Sequence, residues 1–258
     1  MKTQLKILIL PFLFSIIFSS CMFDIFEEGN GIVTEEDRII PEFSEISSSG
    51  SFHVYYEYDK TPGVTVSGES NLLEYVETVV YNDELLIRTP FNVNIRPHHT
   101  IDVYVKGPYV DRIHLSGSGL IHTDEIIADE FRATVSGSGN IETTFIGEDL
   151  YTKVSGSGEI NVYAKADYTE SYILGSGKII FEGESDQLQF KISGSGKIRA
   201  YDFLTNDADI HLNGSGSVYI NVDETLSAWI SGSGDIHYIG NPSINSNISG
   251  SGRLINNN

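Results

Sequence analysis

The sequence predicts an all-β chain wound into a right-handed parallel β-helix, a β-solenoid, and three observations carry that prediction. The first is a tripeptide, Gly-Ser-Gly, that occurs eight times: at Gly117, Gly137, Gly156, Gly175, Gly194, Gly214, Gly232 and Gly250, with 18–20 residues between successive copies. A fixed period of this size marks a stacked-repeat architecture. The second is what flanks each copy. Leu115, Val135, Val154, Ile173, Ile192, Leu212, Ile230 and Ile248 stand two residues before it; Ile121, Ile141, Ile160, Ile179, Ile198, Val218, Ile236 and Leu254 stand two residues after it. The third is that their neighbours are mainly polar, so each flank alternates with period two, as half-buried strands do.

Each repeat therefore reads as strand, Gly-Ser-Gly corner, strand and a more variable return. A sharp corner between strands often needs a positive φ, which glycine adopts without steric cost. The central serine is small enough to bond a backbone group or the serine one coil away. Coils in register would stack with a spacing of about 4.8 Å. A single coil has no complete core, whereas a stack buries a continuous one. Residues 111–258 are the regular repeats.

The chain opens with the pattern of an export leader over residues 1–20. Lys2 and Lys6 precede an apolar run from Ile7 to Phe18, and Ser19-Ser20 precede Cys21, the only cysteine. That run is short for a membrane span and has the shape of a cleaved signal. Cys21 after small residues resembles a bacterial lipobox, although Phe18 departs from the usual leucine. Lipidation of Cys21 would anchor the protein to a membrane by burial of acyl chains. The alternative is an ordinary secretory leader with an unpaired cysteine. The leader holds two of the 16 basic residues and none of the 36 acidic ones, so its removal makes the formal charge of −20 more negative still. Such acidity argues against a nucleic-acid partner.

Residues 21–38 are acidic and read as a tether, with a surface-export signal of Bacteroidetes type as a further reading. Residues 39–258 read as a single domain, of which 39–110 supply irregular first coils and a cap. Within these, Ser49-Gly50-Ser51 and Val64–Gly68 look like degenerate corners. Ser70–Val76 could form one or two helical turns, and Pro97-His98-His99 reads as a loop. After Gly252 the polar run to Asn258 is expected to blunt an exposed sheet edge, with end-to-end self-association as the alternative.

Cys21 behind its leader, the Ser-Gly-Ser-Phe-His-Val stretch at Ser49–Val54, the Asn71-Leu72-Leu73 segment and the serial Gly-Ser-Gly turns together resemble a known family. They look like the GIN-type auto-transporter adhesin head domains of Bacteroidetes envelope proteins, from about Phe43 onward. The resemblance implies a β-solenoid lipoprotein of the outer membrane, on its cell-surface or periplasmic face, acting in adhesion. It implies no catalytic motif, so no functional residue carries over.

The residues themselves offer little catalytic chemistry. The Gly-Ser-Gly copies lack the Lys-Ser/Thr and following helix of a phosphate loop, and equivalent serines cannot all be strained nucleophiles. Only Asp235 follows a corner directly, which excludes a calcium β-roll. The histidines, His53, His98, His99, His114, His122, His211 and His237, show no ligand spacing. No cofactor or metal is expected.

Alternation yields one sharper inference. If the residue two before a corner points inward, those three and five before it point outward. Three before the corner lie His114, Thr134, Lys153, Tyr172, Lys191, His211, Trp229 and Asn247. Five before lie Arg112, Arg132, Tyr151, Glu170, Gln189, Asp209, Ser227 and Asn245. Tyr151, Lys153, Tyr172, Lys191, His211 and Trp229 make this a candidate binding face, since aromatics and cations suit stacking on sugars and contacting acidic groups. The plain alternative is a supporting ladder, with Tyr172 between Lys153 and Lys191 and with Glu159 opposite Lys178. Three functions stand: a non-enzymatic adhesin binding surface glycans or host and matrix proteins, a polysaccharide-processing enzyme, or a structural spacer. The short, even returns leave little room for an enzyme's cleft.

Overall fold

The computed structural model describes residues 25–258; the leader and Cys21 lie outside the described residues. Strands β1 (Ile25–Glu28), β2 (Val33–Arg38), β3 (Glu45–Gly50), β4 (His53–Tyr58) and β5 (Gly63–Glu69) are followed by a 3₁₀ turn at Leu73–Tyr75. Next come β6 (Glu77–Tyr81), β7 (Glu84–Arg88), β8 (Val93–Arg96), β9 (Asp102–Gly107) and β10 (Arg112–Gly117). The long strands are β11 (Leu120–Gly137), β12 (Asn140–Gly156), β13 (Glu159–Gly175), β14 (Lys178–Gly194), β15 (Lys197–Gly214) and β16 (Ser217–Gly232). The last coil holds β17 (Asp235–Ile239), β18 (Ser243–Gly250) and β19 (Arg253–Asn256).

From β10 onward every coil pairs in parallel with the next, corner glycine on corner glycine, which is a parallel β-solenoid. The return that sequence left variable is itself strand, since β11 to β16 run unbroken from corner to corner. Coils of unequal length stay in step through register shifts such as Ile180/Glu182 and Ala200/Leu204, all away from the corners. One extra residue on a strand is accommodated as a bulge.

The two glycines of each corner are required for different reasons. The first has φ from +120° to +140° throughout the repeats, and a Cβ on Gly175 would lie 2.7 Å from the Gly156 carbonyl oxygen. The second is buried beneath the coil before it; a Cβ on Gly158 would meet the Gly139 oxygen and the Val135 side chain, both at 2.5 Å. The serine between them bonds the neighbouring coil through its amide, not its hydroxyl. Ser138 N donates to the Gly117 oxygen at 2.9 Å, and Gly139 N donates to the same oxygen at 2.9 Å.

The residues two before and two after each corner are buried in every coil but the last. One apolar cluster runs from Ile40 to Tyr238. Phe181 sits between Phe190 and Phe203, with ring centroids 5.4 and 5.1 Å away, and Phe131 stacks on Phe145 at 5.7 Å. Burying one such ring contributes about 1.5–3 kcal/mol. Buried hydroxyls satisfy one another between coils, Thr123 with Thr143 at 2.7 Å and Thr152 with Ser171 at 2.6 Å.

The N-terminal end corrects two expectations. Residues 25–38 are not a tether: β1 pairs with β8, and β2 closes the sheet as an antiparallel partner of β5. Their anchor is the segment after β5, where Asn71 Nδ2 donates to the Glu28 carbonyl at 2.8 Å and Ser70 N donates to that of Ile32 at 2.8 Å. Val64–Gly68 is plain strand within β5, whereas Gly50 is a true corner, with φ +129° and its oxygen accepting the Ser118 amide at 3.0 Å. β6 and β7 form a hairpin whose Asn82 and Asp83 carry φ of 50° and 64°.

At the other end the asparagines do not cover the last coil. Asn257 N donates to Tyr238 O at 2.8 Å, and Asn258 exchanges hydrogen bonds of 2.8 and 2.7 Å with Gly240. The tail thus extends the β17–β19 ladder, and among the described residues β18 pairs with β16 alone. Among the described residues no helix is long and apolar enough to cross a membrane.

Candidate binding face

Strict coil register brings the outward rows together. His114, Thr134, Lys153, Tyr172, Lys191, His211, Trp229 and Asn247 stand on successive coils as direct neighbours. The second row, from Arg112 to Asn245, runs beside it on the same sheet. Both rows are at least partly exposed, while the residues between them point into the core.

Within the face, side chains form two kinds of contact. In the middle, Tyr172 and Lys191 are tied to Glu170. Lys191 Nζ lies 3.1 Å from Glu170 Oε1, 2.9 Å from the Tyr172 hydroxyl and 4.8 Å from the Tyr172 ring centroid. The Tyr172 hydroxyl also donates to Glu170. The Tyr172 hydroxyl and, behind it, the Glu170 carboxylate hold the Lys191 ammonium above its ordinary pKa against the opposing effect of burial. Tyr151 is covered by the Arg132 guanidinium, 4.0 Å from its ring centroid. Burial, then Asp149 and Glu130, push the Tyr151 phenol up.

The expected stack is therefore one-sided: Lys191 engages Tyr172, and Lys153 on the other side does not. Lys153 is exposed, and among the described residues no carboxylate is within ion-pair distance of it. The supporting pair expected on the other flank is present, with Lys178 Nζ 2.7 Å from Glu159 Oε2.

Toward the C-terminal end the face opens. Trp229 is 40% exposed and stacks on His211, centroids 6.1 Å apart and planes at 17°. His211, Asn213, Trp229, Ser231, Asn247 and Ser249 line a shallow groove of about 440 Å³. A flat aromatic surface ringed by amides and hydroxyls can stack on a pyranose and bond its hydroxyls. Sequence reasoning placed His211 and Trp229 but missed the groove, because Asn213, Ser231 and Ser249 sit one residue before their corners, a position outside the two outward rows.

Two further features were not anticipated. Two separate aromatic stacks involve residues three after the corners: Tyr55 stacks on Tyr104 of β9 at 5.3 Å, and Tyr219 on His237 at 4.7 Å. Alternation applied after the corner, as it was before it, would have found Tyr55, Tyr219 and His237. The other feature is Glu69, fully buried in the cap. Burial pushes its carboxyl up, but the Gly31 amide, the His98 ring and the His98 and His99 amides outweigh that and hold it at about 2, against an ordinary 4.5. His98, expected on a free loop, is bound to Glu69 at 3.0 Å and is held above its ordinary value, chiefly by that bond and against burial. Among the described residues no group of three or more His, Cys, Asp or Glu is placed to hold a metal.

The fold is shared with solved structures. A "putative lipid binding protein" from Parabacteroides distasonis ATCC 8503 is 27% identical, with a TM-score of 0.85 over 90% of this chain and 100% of that one. A "putative adhesin" from Parabacteroides merdae ATCC 43184 is 23% identical, with a TM-score of 0.86 over 91% and 100%. Another from Bacteroides fragilis NCTC 9343 is 19% identical, with a TM-score of 0.68 over 89% and 99%. Among curated proteins none matches the sequence. The family model described as "Putative auto-transporter adhesin, head GIN domain" matches residues 42–242, and the chain belongs to that family.

Proposed function

We propose that this protein is a non-enzymatic adhesin, anchored in the outer membrane through a lipid on Cys21, whose outward row binds surface glycans. Membership of an adhesin-head family supports the general class. The observation that carries the finer reading is Trp229, the only tryptophan, stacked on His211 above a groove edged by Asn213 and Asn247. Lys153, on the same outward row and without a carboxylate partner among the described residues, adds positive charge to the face of a very acidic chain, which favours glycans bearing carboxylate or sulfate groups.

Because Trp229 is the sole indole, its fluorescence reports directly on this groove. Titration with neutral and acidic oligosaccharides should shift its emission saturably. Trp229→Ala should abolish binding in a glycan-array assay, and Trp229→Phe should keep part of it. Binding that survives Trp229→Ala together with Tyr172→Ala would remove this face from the adhesive role. Protease shaving of intact cells tests exposure, and full protection would count against adhesion.

A further inference from the structure

The two ends of the rod differ in a way that points to a partner. At the N-terminal end β2 presents Glu35, Glu36 and Asp37 along its exposed edge, a charged strand of the kind that prevents edge pairing. At the C-terminal end none of the chain's 36 acidic residues lies after Asp235, and Arg253 is tied to Asp235 at 2.6 Å. β18 therefore offers an uncharged edge.

That edge is also apolar on its inner side. Ile244 and Ile248 continue the columns of Leu226 and Ile230, which are 0% and 2% exposed. Among the described residues no coil covers Ile244 and Ile248, which are 45% and 42% exposed. They lie in a palindrome, Ser243-Ile244-Asn245-Ser246-Asn247-Ile248-Ser249, which makes up β18 apart from its last residue, Gly250.

From this we infer that the open coil is a self-complementary interface for a second copy of the chain, joined tail to tail about a two-fold axis through Ser246. Antiparallel pairing on that axis sets Ile244 against Ile248 of the second copy, Asn245 against Asn247, and Ser246 against itself. Every residue then meets its own type, and the isoleucines of both copies close the two open cores. The symmetry is of the isologous kind that stops at a dimer. A head-to-tail filament would instead press this edge against the acidic β2. In the dimer the two outward rows continue across one sheet, so that Trp229 and Asn247 of one copy run on into Asn245 and Ser227 of the other, doubling the binding face.

The test uses the full chain with Cys21→Ser, in which Ser246→Cys supplies the only thiol. Directly opposed Cα atoms of an antiparallel pair lie about 4.5–5.5 Å apart, within the range a disulfide spans. Mild oxidation should link Ser246→Cys copies at least about tenfold faster than copies carrying Ser195→Cys, an exposed corner serine in mid-rod, because pairing raises the local thiol concentration. Sedimentation velocity should show a dimer that becomes a monomer with Ile248→Lys, a substitution at an exposed site that should leave the unfolding transition in place. A monomer at every concentration, a dimer indifferent to Ile248→Lys, or equal linking rates at the two cysteine sites would each overturn the inference.

Discussion

The carboxylate of Glu69 fills the space that a β-carbon on Gly29 would need, its Oε2 only 2.1 Å from that position. The glycine lets the N-terminal segment close over a buried anion, which the Gly31 amide then bonds at 2.6 Å. Glu69→Gln, or Gly29→Ala, should release residues 25–38 while leaving the repeats folded. The expected outcome is protease cleavage in that segment faster by about an order of magnitude, with the core unchanged, since local opening is governed by local contacts.

The same cluster sets a pH window. The folded pKa of Glu69, about 2, lies below its ordinary 4.5, so its contribution is complete above 4.5 and is lost as pH falls toward 2. His98 is raised from 6.5, so its contribution is complete below 6.5 and fades as pH climbs through the raised value. Protection of residues 25–38 against hydrogen exchange should therefore peak between these limits. His98→Gln should remove the alkaline decline and spare the acid one; an unchanged alkaline limb would exclude His98 as its source.

The corners should separate backbone from side chain. Gly175→Ala forces a side chain into positive φ against the Gly156 carbonyl, and should cost about 3 kcal/mol or more. Ser176→Ala should stay within about 0.5 kcal/mol, because the serine acts through its amide. Urea unfolding of the two variants measures the contrast.

This division explains what was legible in the sequence. Corner glycines and their apolar flanks are fixed by stacking in every coil, so periodicity exposed the winding, the register and the outward row. The cap is built once, from single contacts between distant residues: Glu69 with Gly31, Asn71 with Glu28. Nothing in the local composition of residues 25–38 distinguishes an acidic tether from an acidic edge strand; only the partner, β5, decides it. The groove beside Trp229 escaped notice for a related reason, since its rim joins residues from several coils.

Phe181 tests how far the core tolerates loss. Its ring bridges Phe190 and Phe203 and is almost fully buried. Phe181→Ala should cost about 3–5 kcal/mol, and Phe181→Leu distinctly less, because the cavity is smaller. Thermal melts would record both; equal losses would mean that the rings contribute through stacking geometry rather than volume.

Glu170 gives the sharpest test of charge at the binding face. It neutralises Lys191, whereas Lys153 has its ammonium free of any such partner among the described residues. If acidic glycans bind here, Glu170→Gln should release Lys191 and tighten binding severalfold at low salt, and Lys153→Gln should weaken it by a similar factor. Neutral glycans should respond to neither substitution. Lys153→Gln should change fold stability by less than about 1 kcal/mol, as its ammonium is at the surface. Trp229 fluorescence titrations at two salt concentrations measure all four responses. Equal affinities for acidic glycans in the parent and Glu170→Gln would place the bound anion away from Lys191 and restrict the site to the groove at Trp229.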